Sequence, residues 1–242
     1  KLRYMFTAAL GHMLVDADYS QIELRLLAHV ADDKAMQEAF LSGEDIHTAT
    51  AAQVFGVAPG EVTHEMRRRA KAVNFGIVYG ISAFSLSDDI GVSVGEAKEY
   101  MERYFETFSG IARYQKEVVE KGYENGYVST LLGRRRWLPE LKSSNHNLRS
   151  FGERVALNMP IQGTAADVIK LAMIKVNDRL RAEGLKARLI LQVHDELIVE
   201  CPEEETEQVR ALLTYEMESA VSYAVPLRAD AGVGKNWGEA KN

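Results

Sequence analysis

Two aspartates, Asp18 and Asp195, lie where carboxylates can do chemistry. Asp18 ends the alternating apolar run Met13–Asp18, a pattern typical of a buried strand. Asp195 lies in His194-Asp195-Glu196 between two apolar strand-like runs, which predicts a tight turn. On neighbouring strands the two carboxylates would lie close together and could bridge two Mg²⁺ ions. Two such ions activate an attacking oxygen and stabilise a leaving oxygen on phosphorus. Alternatively each aspartate only hydrogen-bonds within its own turn, and spacing alone does not decide between these readings.

A helix with one basic face is predicted over His64–Tyr79. At about 100° per residue, Arg67, Lys71 and Phe75 fall within an arc of about 80° and span roughly 12 Å of the helix axis. This face suits a nucleoside triphosphate, because cations bind phosphates and an aromatic ring can pack on the base or sugar. The alternative is a solvated basic face with Phe75 turned into the core.

The elements that must position these residues are predicted to form an α+β fold. A helix is expected to begin near Ile22, and further helices are predicted over about 45–55, 64–79, 94–108, 111–124, 149–183 and 203–222. Predicted hairpins pair Tyr127–Thr130 with Arg135–Leu138 and Ala187–Val193 with Leu197–Cys201, and a last strand is expected within Val225–Val233. Because strands lie towards both ends and helices fill most of 31–150, a sheet with a helical insert is the simplest arrangement.

Composition narrows the class of protein. Hydrophobic residues make up 46% and charged residues 26%, an ordinary globular balance. The net charge of −6 argues mildly against a nucleic-acid partner, but Arg67–Arg69 and Arg134–Arg136 are basic clusters, while Glu203–Glu205 is acidic. The single cysteine excludes an internal disulfide and a cysteine-based zinc site. The lone cysteine also favours a reducing, cytoplasmic setting. No apolar run approaches the roughly 18 residues of a membrane span.

Three segments together resemble the family A DNA polymerases, the bacterial DNA polymerase I type. Asp16–Arg25 (DADYSQIELR) resembles motif A, Arg67–Gly80 (RRRAKAVNFGIVYG) resembles motif B, and Gln192–Glu196 (QVHDE) resembles motif C. Further similar segments are Asp45–His47, Met159–Asp167 and Asn236–Trp237. The resemblance therefore covers essentially the whole chain.

This resemblance implies a fold and a division of the chain. It implies an antiparallel palm sheet with a large helical fingers subdomain inserted between motif A and motif C. The implied segments are residues 1–30 for the first part of the palm, 31–150 for the fingers and 151–242 for the second part of the palm. Family members carry a thumb and an exonuclease-like region further upstream, so the chain is expected to be a piece of a longer polymerase, with no proofreading role of its own.

The resemblance also implies a template-directed DNA polymerase (EC 2.7.7.7) that joins a dNTP to a primer 3′-OH and releases pyrophosphate. Asp18 and Asp195 are implied to be catalytic and to hold two Mg²⁺ ions, with Mn²⁺ as the alternative metal. The backbone carbonyl of Tyr19 and, as an accessory, Glu196 are implied to help hold the metals. Lys71 is implied to be catalytic by protonating the leaving pyrophosphate.

Binding residues follow from the same resemblance. The implied nucleotide-binding residues are Arg67, Lys71, Phe75, Tyr79, His47, Glu23 and Gln21. The implied DNA-binding residues are Gln162, His194, Gln192, Arg134, Arg135 and Arg136. Simpler readings stay open for some of them: Glu23 also fits a helix-capping position, His47 fits a packed side chain, and the arginine run fits an exposed turn.

The implied partners are primer–template DNA and dNTPs, bound by a monomer in the cytoplasm of a bacterium or in a phage-type, nucleoid-associated setting. Three competing hypotheses remain. A His-Asp phosphohydrolase is disfavoured because that chemistry places the pair on a helix with further metal ligands nearby. A two-metal nuclease leaves the Arg67/Lys71/Phe75 face unexplained. A folded fragment that binds nucleotide or DNA without catalysis stays open.

Overall fold

The computed structural model describes residues 1–241, and the chain divides into two units. The sheet unit consists of Lys1–Ile22 and Ala165–Asn242, and the helical unit consists of Glu23–Thr164. Helix α8 (His146–Ala182) contains the second of these boundaries and Pro160. Among the residues described, no helix is long and apolar enough to cross a membrane.

The sheet unit is built around a four-stranded antiparallel sheet. Its strands are β1 (His12–Tyr19), β4 (Arg188–Val193), β5 (Glu196–Pro202) and β6 (Ala229–Gly234), in the order β4-β5-β1-β6. Strand β1 therefore pairs on both edges, and Asp18 lies opposite Glu196 on β5 and Asp230 on β6. Because side chains alternate along a strand, Leu14, Asp16 and Asp18 share one face of β1.

Each face of β1 is covered by a helix. Helix α9 (Thr206–Glu218) packs against β1, β5 and β6, and the Tyr19 hydroxyl donates a hydrogen bond of 2.6 Å to the Met217 carbonyl. The short helix α10 (Trp237–Ala240) packs against β1 and β6. Trp237 and Ala240 lie in a buried cluster with Leu14 and Ile198. The aspartate-bearing face of β1 is thus the face that α10 partly covers.

The helical unit consists of α1–α7, one hairpin and the first part of α8. Its helices are α1 (Ile22–Val30, whose first residue belongs to the sheet unit), α2 (Lys34–Leu41), α3 (Ile46–Phe55), α4 (His64–Val78), α5 (Ala83–Ile90), α6 (Val94–Thr107) and α7 (Ser109–Asn125). The hairpin pairs β2 (Tyr127–Ser129) with β3 (Arg135–Trp137). Five helices begin at a side chain that accepts a hydrogen bond from the first turn, namely Asp33, Asp45, Thr63, Ser82 and Ser93.

The predicted α+β class is confirmed, with an antiparallel sheet drawn from both ends of the chain and a helical insert. Gly56 and Gly126 end α3 and α7 in the left-handed conformation, which glycine adopts readily. Helices α2 and α5 were not predicted individually. The last strand begins at Ala229 rather than Val225, and the helix predicted from residue 203 begins at Thr206, after a 3₁₀ turn at Glu203–Glu205.

Candidate active site

Strand pairing brings Asp18 and Asp195 together at one end of the sheet. The backbone N–H of Tyr19 donates a hydrogen bond of 3.1 Å to the Asp195 carbonyl, which joins the end of β1 to the β4–β5 turn. The side chain of Asp18 lies close enough to Asp195 to raise its pKa electrostatically. Two aspartates that are 177 residues apart in sequence therefore share one site.

The turn that carries Asp195 has an unusual backbone. His194 has φ of +52°, in the left-handed region that residues other than glycine seldom adopt. The Gln192 side chain donates a hydrogen bond of 2.7 Å to the His194 carbonyl and so braces the turn. Such strained positions persist only where the surrounding structure holds them, and they are concentrated at functional sites.

Two further carboxylates and one lysine complete the cluster. Asp16 is buried two residues before Asp18, and Glu196 is buried opposite Asp18. The Lys241 ammonium lies 2.6 Å from Asp18 Oδ2 and 2.7 Å from Glu196 Oε2. The indole N–H of Trp237 donates a hydrogen bond to the other Glu196 oxygen. Both oxygens of Glu196 are therefore occupied.

The electrostatic state of the cluster reflects crowded negative charge. Burial and the charge of Glu196 raise the pKa of Asp16 to about 7. Burial and the charge of Asp18 raise the pKa of Asp195 to about 6. Burial opposes the charge of Lys241, but hydrogen bonds to Asp18 and Glu196 raise its pKa above the usual value. The cluster carries more negative charge than one ammonium compensates.

Asp18 and Asp195 fit a divalent cation of the magnesium type. The Oδ1 atoms of Asp16 and Asp18 are buried and accept no hydrogen bond within the described structure, so both have free coordinating capacity. Within residues 1–241, no group of three or more His, Cys, Asp or Glu side chains has the arrangement of a complete metal site. Mg²⁺ commonly takes one or two carboxylates and completes its shell with water and substrate phosphates, so two aspartates suffice. A cavity of about 220 Å³ is lined in part by Asp16, Asp18 and Lys241.

In the helical unit, the basic face of α4 is partly engaged. Arg67 donates hydrogen bonds of 3.0 and 2.8 Å to both carboxylate oxygens of Asp45, and Asp45 also caps α3. Burial raises the pKa of Asp45, but hydrogen bonds from Arg67 and Thr48 outweigh it and bring the pKa to about 2. Lys71 is exposed one turn further along. The two cations therefore differ, because Arg67 has a carboxylate partner and Lys71 points into solvent.

His47 lies beneath the same face of α4. Its side chain is buried, Nδ1 lies 3.1 Å from the Asn74 amide nitrogen, and its ring centroid is 5.8 Å from that of Phe75. Burial lowers the pKa of His47 to about 4, and Arg67 and Lys71 act in the same direction against the opposing charge of Asp45. The imidazole is therefore neutral at neutral pH and offers a hydrogen bond rather than a charge.

The far end of α4 is tied to α1. The Tyr79 hydroxyl donates a hydrogen bond of 2.8 Å to Glu23 Oε2. A cavity of about 460 Å³ lies beside this end of α4, lined in part by Phe75, Tyr79 and Arg154. Three of the residues predicted to bind nucleotide, Glu23, Phe75 and Tyr79, are thereby placed within one region of the helical unit.

A family model for DNA polymerase family A matches residues 1–239. The chain belongs to DNA polymerase family A. DNA polymerase I of Bacillus caldotenax is 54% identical to it over 242 residues, which are 100% of this chain and 28% of that protein. DNA polymerase I of Bacillus subtilis (strain 168) is 52% identical over the same shares of the two chains. The chain thus spans about 28% of the length of these curated relatives.

A solved structure has the same fold. The POL domain of Pol1 from M. smegmatis, in complex with DNA primer-template and dNTP, matches this chain with a TM-score of 0.95 and 46% sequence identity. The match covers 99% of this chain and 42% of that one. The family assigned from the sequence motifs is therefore confirmed.

The residues predicted to bind DNA in this family A chain lie on exposed surfaces of the two units. Gln192 and His194 are exposed in the sheet unit, and Gln162 is exposed on α8 in the helical unit. Arg134, Arg135 and Arg136 are exposed at the β2–β3 hairpin of the helical unit, where Arg135 lies over the Tyr127 ring at 4.6 Å. Gln21, predicted to bind nucleotide, is half-buried with φ of +55°. Their roles stay predictions.

Three members of the carboxylate cluster were not predicted as site residues: Asp16, Trp237 and Lys241. For Asp16 the signal was available, because residues two apart in a strand share a face. For Lys241 no such signal exists. Its place depends on the approach of α10 to β6, where Cβ atoms added at Gly232 and Gly234 would collide with Ala240.

Proposed function

We propose that this chain contains the catalytic residues of a template-directed DNA polymerase. The reaction is attack of a primer 3′-oxygen on the α-phosphorus of a dNTP, with breakage of the bond to the bridging oxygen and release of pyrophosphate. The observation that carries the proposal is the pairing of Asp18 and Asp195 at one end of the sheet, with a buried, unpaired oxygen on Asp18. Membership of family A supports it.

In this proposal Asp18 and Asp195 hold two divalent cations, Mg²⁺ or in its place Mn²⁺. The backbone carbonyl of Tyr19 completes the protein's share of the ligands. Glu196 is an accessory at the periphery, because its two oxygens accept hydrogen bonds from Trp237 and Lys241. When bound, the two cations activate the attacking oxygen and stabilise the leaving oxygen. The chain's own contribution is to hold two carboxylates at fixed positions through strand pairing, so that no rearrangement is needed at the moment of reaction.

The α4 residues are assigned to the incoming nucleotide. Arg67 and Lys71 bind the triphosphate, and Lys71 donates a proton to the leaving pyrophosphate. Arg67 exchanges the carboxylate of Asp45 for a phosphate, a charge-assisted contact of the same kind. Phe75 packs on the deoxyribose, and His47 donates a hydrogen bond as a neutral imidazole.

Glu23, Tyr79 and Gln21 complete the proposed nucleotide site. Glu23 excludes a ribose 2′-hydroxyl, and its carboxylate is oriented by the Tyr79 hydroxyl. Tyr79 occupies the position of the templating base before the correct nucleotide binds. The proposed division of the chain is palm for residues 1–30 and 151–242 and fingers for 31–150.

Primer–template DNA is the proposed partner. The proposed DNA-binding residues are Gln162, His194, Gln192, Arg134, Arg135 and Arg136. The solved relative from M. smegmatis is described as a complex with DNA primer-template and dNTP, which supports both the partner and the substrate class. We further propose a monomer that acts in the bacterial cytoplasm.

Primer extension tests the proposal. The 242-residue chain is incubated with a defined primer–template, Mg²⁺ and four dNTPs, beside Asp18→Asn and Asp195→Asn. We expect slow, templated extension that falls about a thousandfold in either variant, because each loses a charged metal ligand. Asp178→Asn is the matched control, because Asp178 is an exposed aspartate on α8 in the same unit.

Two outcomes would change the assignment. Extension that survives in both variants would contradict the metal role of the aspartates. Intact dNTP binding without extension by any form would favour a second candidate function, a nucleotide-binding but catalytically incomplete fragment. That candidate is supported by the share of its relatives that the chain spans, about 28%.

A further inference from the structure

The positively charged ammonium of Lys241 lies inside the carboxylate cluster. Its ammonium contacts Asp18 Oδ2 at 2.6 Å and Glu196 Oε2 at 2.7 Å, and about a quarter of its side chain is exposed. Asp16 lies beside both of these carboxylates, and Asp195 lies beside Asp18. Several buried carboxylates repel each other unless a cation compensates them, and here an amine of the chain itself provides that charge.

Packing, and not only the ion pair, delivers Lys241 to this place. Asn236 caps helix α10, because its side chain accepts a hydrogen bond of 2.9 Å from the Glu239 N–H. The ring of Trp237 is buried, and its indole N–H donates to Glu196. The Trp237 backbone N–H donates to the Phe6 carbonyl at 2.9 Å. Lys241, immediately after α10, is therefore fixed in position by an anchored segment.

The ammonium and a divalent cation would compete for the same ligand. Asp18 Oδ2 accepts a hydrogen bond from the Lys241 ammonium, and Asp18 Oδ1 is buried without a partner. Two cations on one carboxylate repel each other, and at the partly exposed Asp18 this repulsion is stronger than in bulk water. Because Glu196 also accepts from Lys241, the ammonium has a second carboxylate on which to remain when it leaves Asp18.

We propose that Lys241 is an internal counter-ion that occupies the cation position of Asp18 before a divalent metal binds and withdraws towards Glu196 when the metal arrives. Lys241 is then a positioning residue that keeps the carboxylates assembled in the metal-free chain. It also weakens binding of the first metal ion, so the site fills only when that competition is overcome. The inference rests on the proposed metal role of Asp18.

Mn²⁺ binding to the 242-residue chain, without DNA or nucleotide, tests the inference. We compare the wild-type chain with Lys241→Gln, which removes the charge, and Lys241→Arg, which keeps it. Lys241→Gln is expected to bind Mn²⁺ about tenfold more tightly, a change of about 1.4 kcal/mol. Lys241→Arg is expected to stay close to the wild type. Isothermal titration calorimetry or the electron paramagnetic resonance signal of free Mn²⁺ gives the affinity.

A second readout separates the counter-ion role from simple anchoring of α10. In EDTA, Lys241→Gln should lower the thermal midpoint by at least about 2–4 °C, and excess Mn²⁺ should close this gap, because the metal replaces the lost charge. The matched control is Lys235→Gln, which removes an ion pair with Glu203 in the same unit. It should leave Mn²⁺ affinity unchanged, and Mn²⁺ should not restore any stability that it loses.

The outcomes distinguish this inference from the proposed function. If Lys241→Gln binds Mn²⁺ no more tightly than the wild type, while Asp18→Asn abolishes binding, the inference is wrong and the metal role of Asp18 stands. If no form binds Mn²⁺, the metal role fails and the inference fails with it. If Lys241→Gln binds tightly but the double variant with Asp18→Asn does not, the competition at Asp18 is established.

Discussion

The carboxylates of the sheet unit and the cations of α4 are held in opposite ways. Asp16, Asp18 and Glu196 are fixed by the register of three paired strands, at least partly buried, and crowded. Arg67 and Lys71 project from one helix with exposed or half-exposed side chains. Burial makes the first group costly to the fold unless a cation compensates it, whereas the second group costs little. The sheet site is therefore preorganised for one kind of ligand, while the helix face can adjust to its ligand.

After the two aspartates, the largest effect is expected for the α4 cations, and it should appear in activity without loss of stability. Lys71→Gln and Arg67→Gln should each lower kcat/KM for single-nucleotide incorporation by about 10²–10³, or roughly 3–4 kcal/mol, because each removes a charge-assisted phosphate contact. Single-turnover extension at increasing dNTP measures the loss, and thermal unfolding should show little change.

Arg68→Gln is the matched control for these two variants. Arg68 lies on the same helix, is exposed, and pairs with Glu65 at 2.6 Å. A loss in Arg68→Gln equal to that in Lys71→Gln would mean that general positive charge, and not a specific face of α4, binds the nucleotide. If the thermal unfolding midpoint of Lys71→Gln or Arg67→Gln falls sharply, the contrast between the two regions does not hold.

The same contrast explains which features the sequence predicts. The face shared by Arg67, Lys71 and Phe75 follows from helical periodicity, and the strand ending at Asp18 follows from alternation, because both are local properties of the chain. The pairing of Asp18 with Asp195 depends on which strands become neighbours, and only the family motifs pointed to it. Helices α2 and α5 have eight residues each, too few for a distinct periodic signal.

The position of Lys241 in the carboxylate cluster could not be predicted from the sequence. Its contact with Asp18 requires α10 to lie directly on β6, which depends on missing side chains at Gly232 and Gly234. A lysine after a four-residue helix carries no pattern that would indicate such a contact. The bidentate pairing of Arg67 with Asp45 was likewise not predicted, because the two residues are 22 positions apart, one on α4 and the other at the cap of α3.

The close approach of α10 to β6 gives the next largest effect. In Gly232→Ala the new Cβ would collide with the Ala240 carbonyl, so α10 must shift and take Trp237 and Lys241 away from Glu196. We expect a loss of about 2–3 kcal/mol in the free energy of unfolding, measured by urea denaturation.

Gly95→Ala provides the comparison in the helical unit. Gly95 lies in α6, where an added Cβ would meet only Ser93 Oγ at 3.9 Å, so the substitution should be neutral or stabilise by up to about 1 kcal/mol. If Gly232→Ala were equally well tolerated, the packing of α10 would not be what positions Lys241.

Stability should also depend on pH through His47. The folded pKa of about 4 lies below the usual 6.5, so between these values the unfolded chain binds more protons than the folded chain. The free energy of unfolding should therefore fall by about 2 kcal/mol from this residue between pH 7 and pH 5. His47→Gln should remove that part of the slope, measured by urea unfolding at several pH values.

His64→Gln is the control for the pH profile, since His64 is exposed at the start of α4. It should not remove the part of the slope that is lost in His47→Gln. A wild-type slope that persists in His47→Gln would mean that the imidazole is not buried in its neutral form. The contrast between a buried, neutral His47 and the exposed cations of α4 above it would then not hold.

The smallest effect should come from the hydrogen bond that ties the end of α4 to α1. Tyr79→Phe removes the hydroxyl that donates to Glu23 at 2.8 Å, and we expect a loss of about 0.5–1.5 kcal/mol in the free energy of unfolding because the bond is partly exposed. Tyr100→Phe is the matched deletion, since the Tyr100 ring packs edge-on against Phe55 in the same unit. Urea unfolding of both variants should show the larger loss for Tyr79→Phe. Equal losses would mean that Glu23 exchanges its tyrosine partner for water at no cost, and that this end of α4 is held by packing alone.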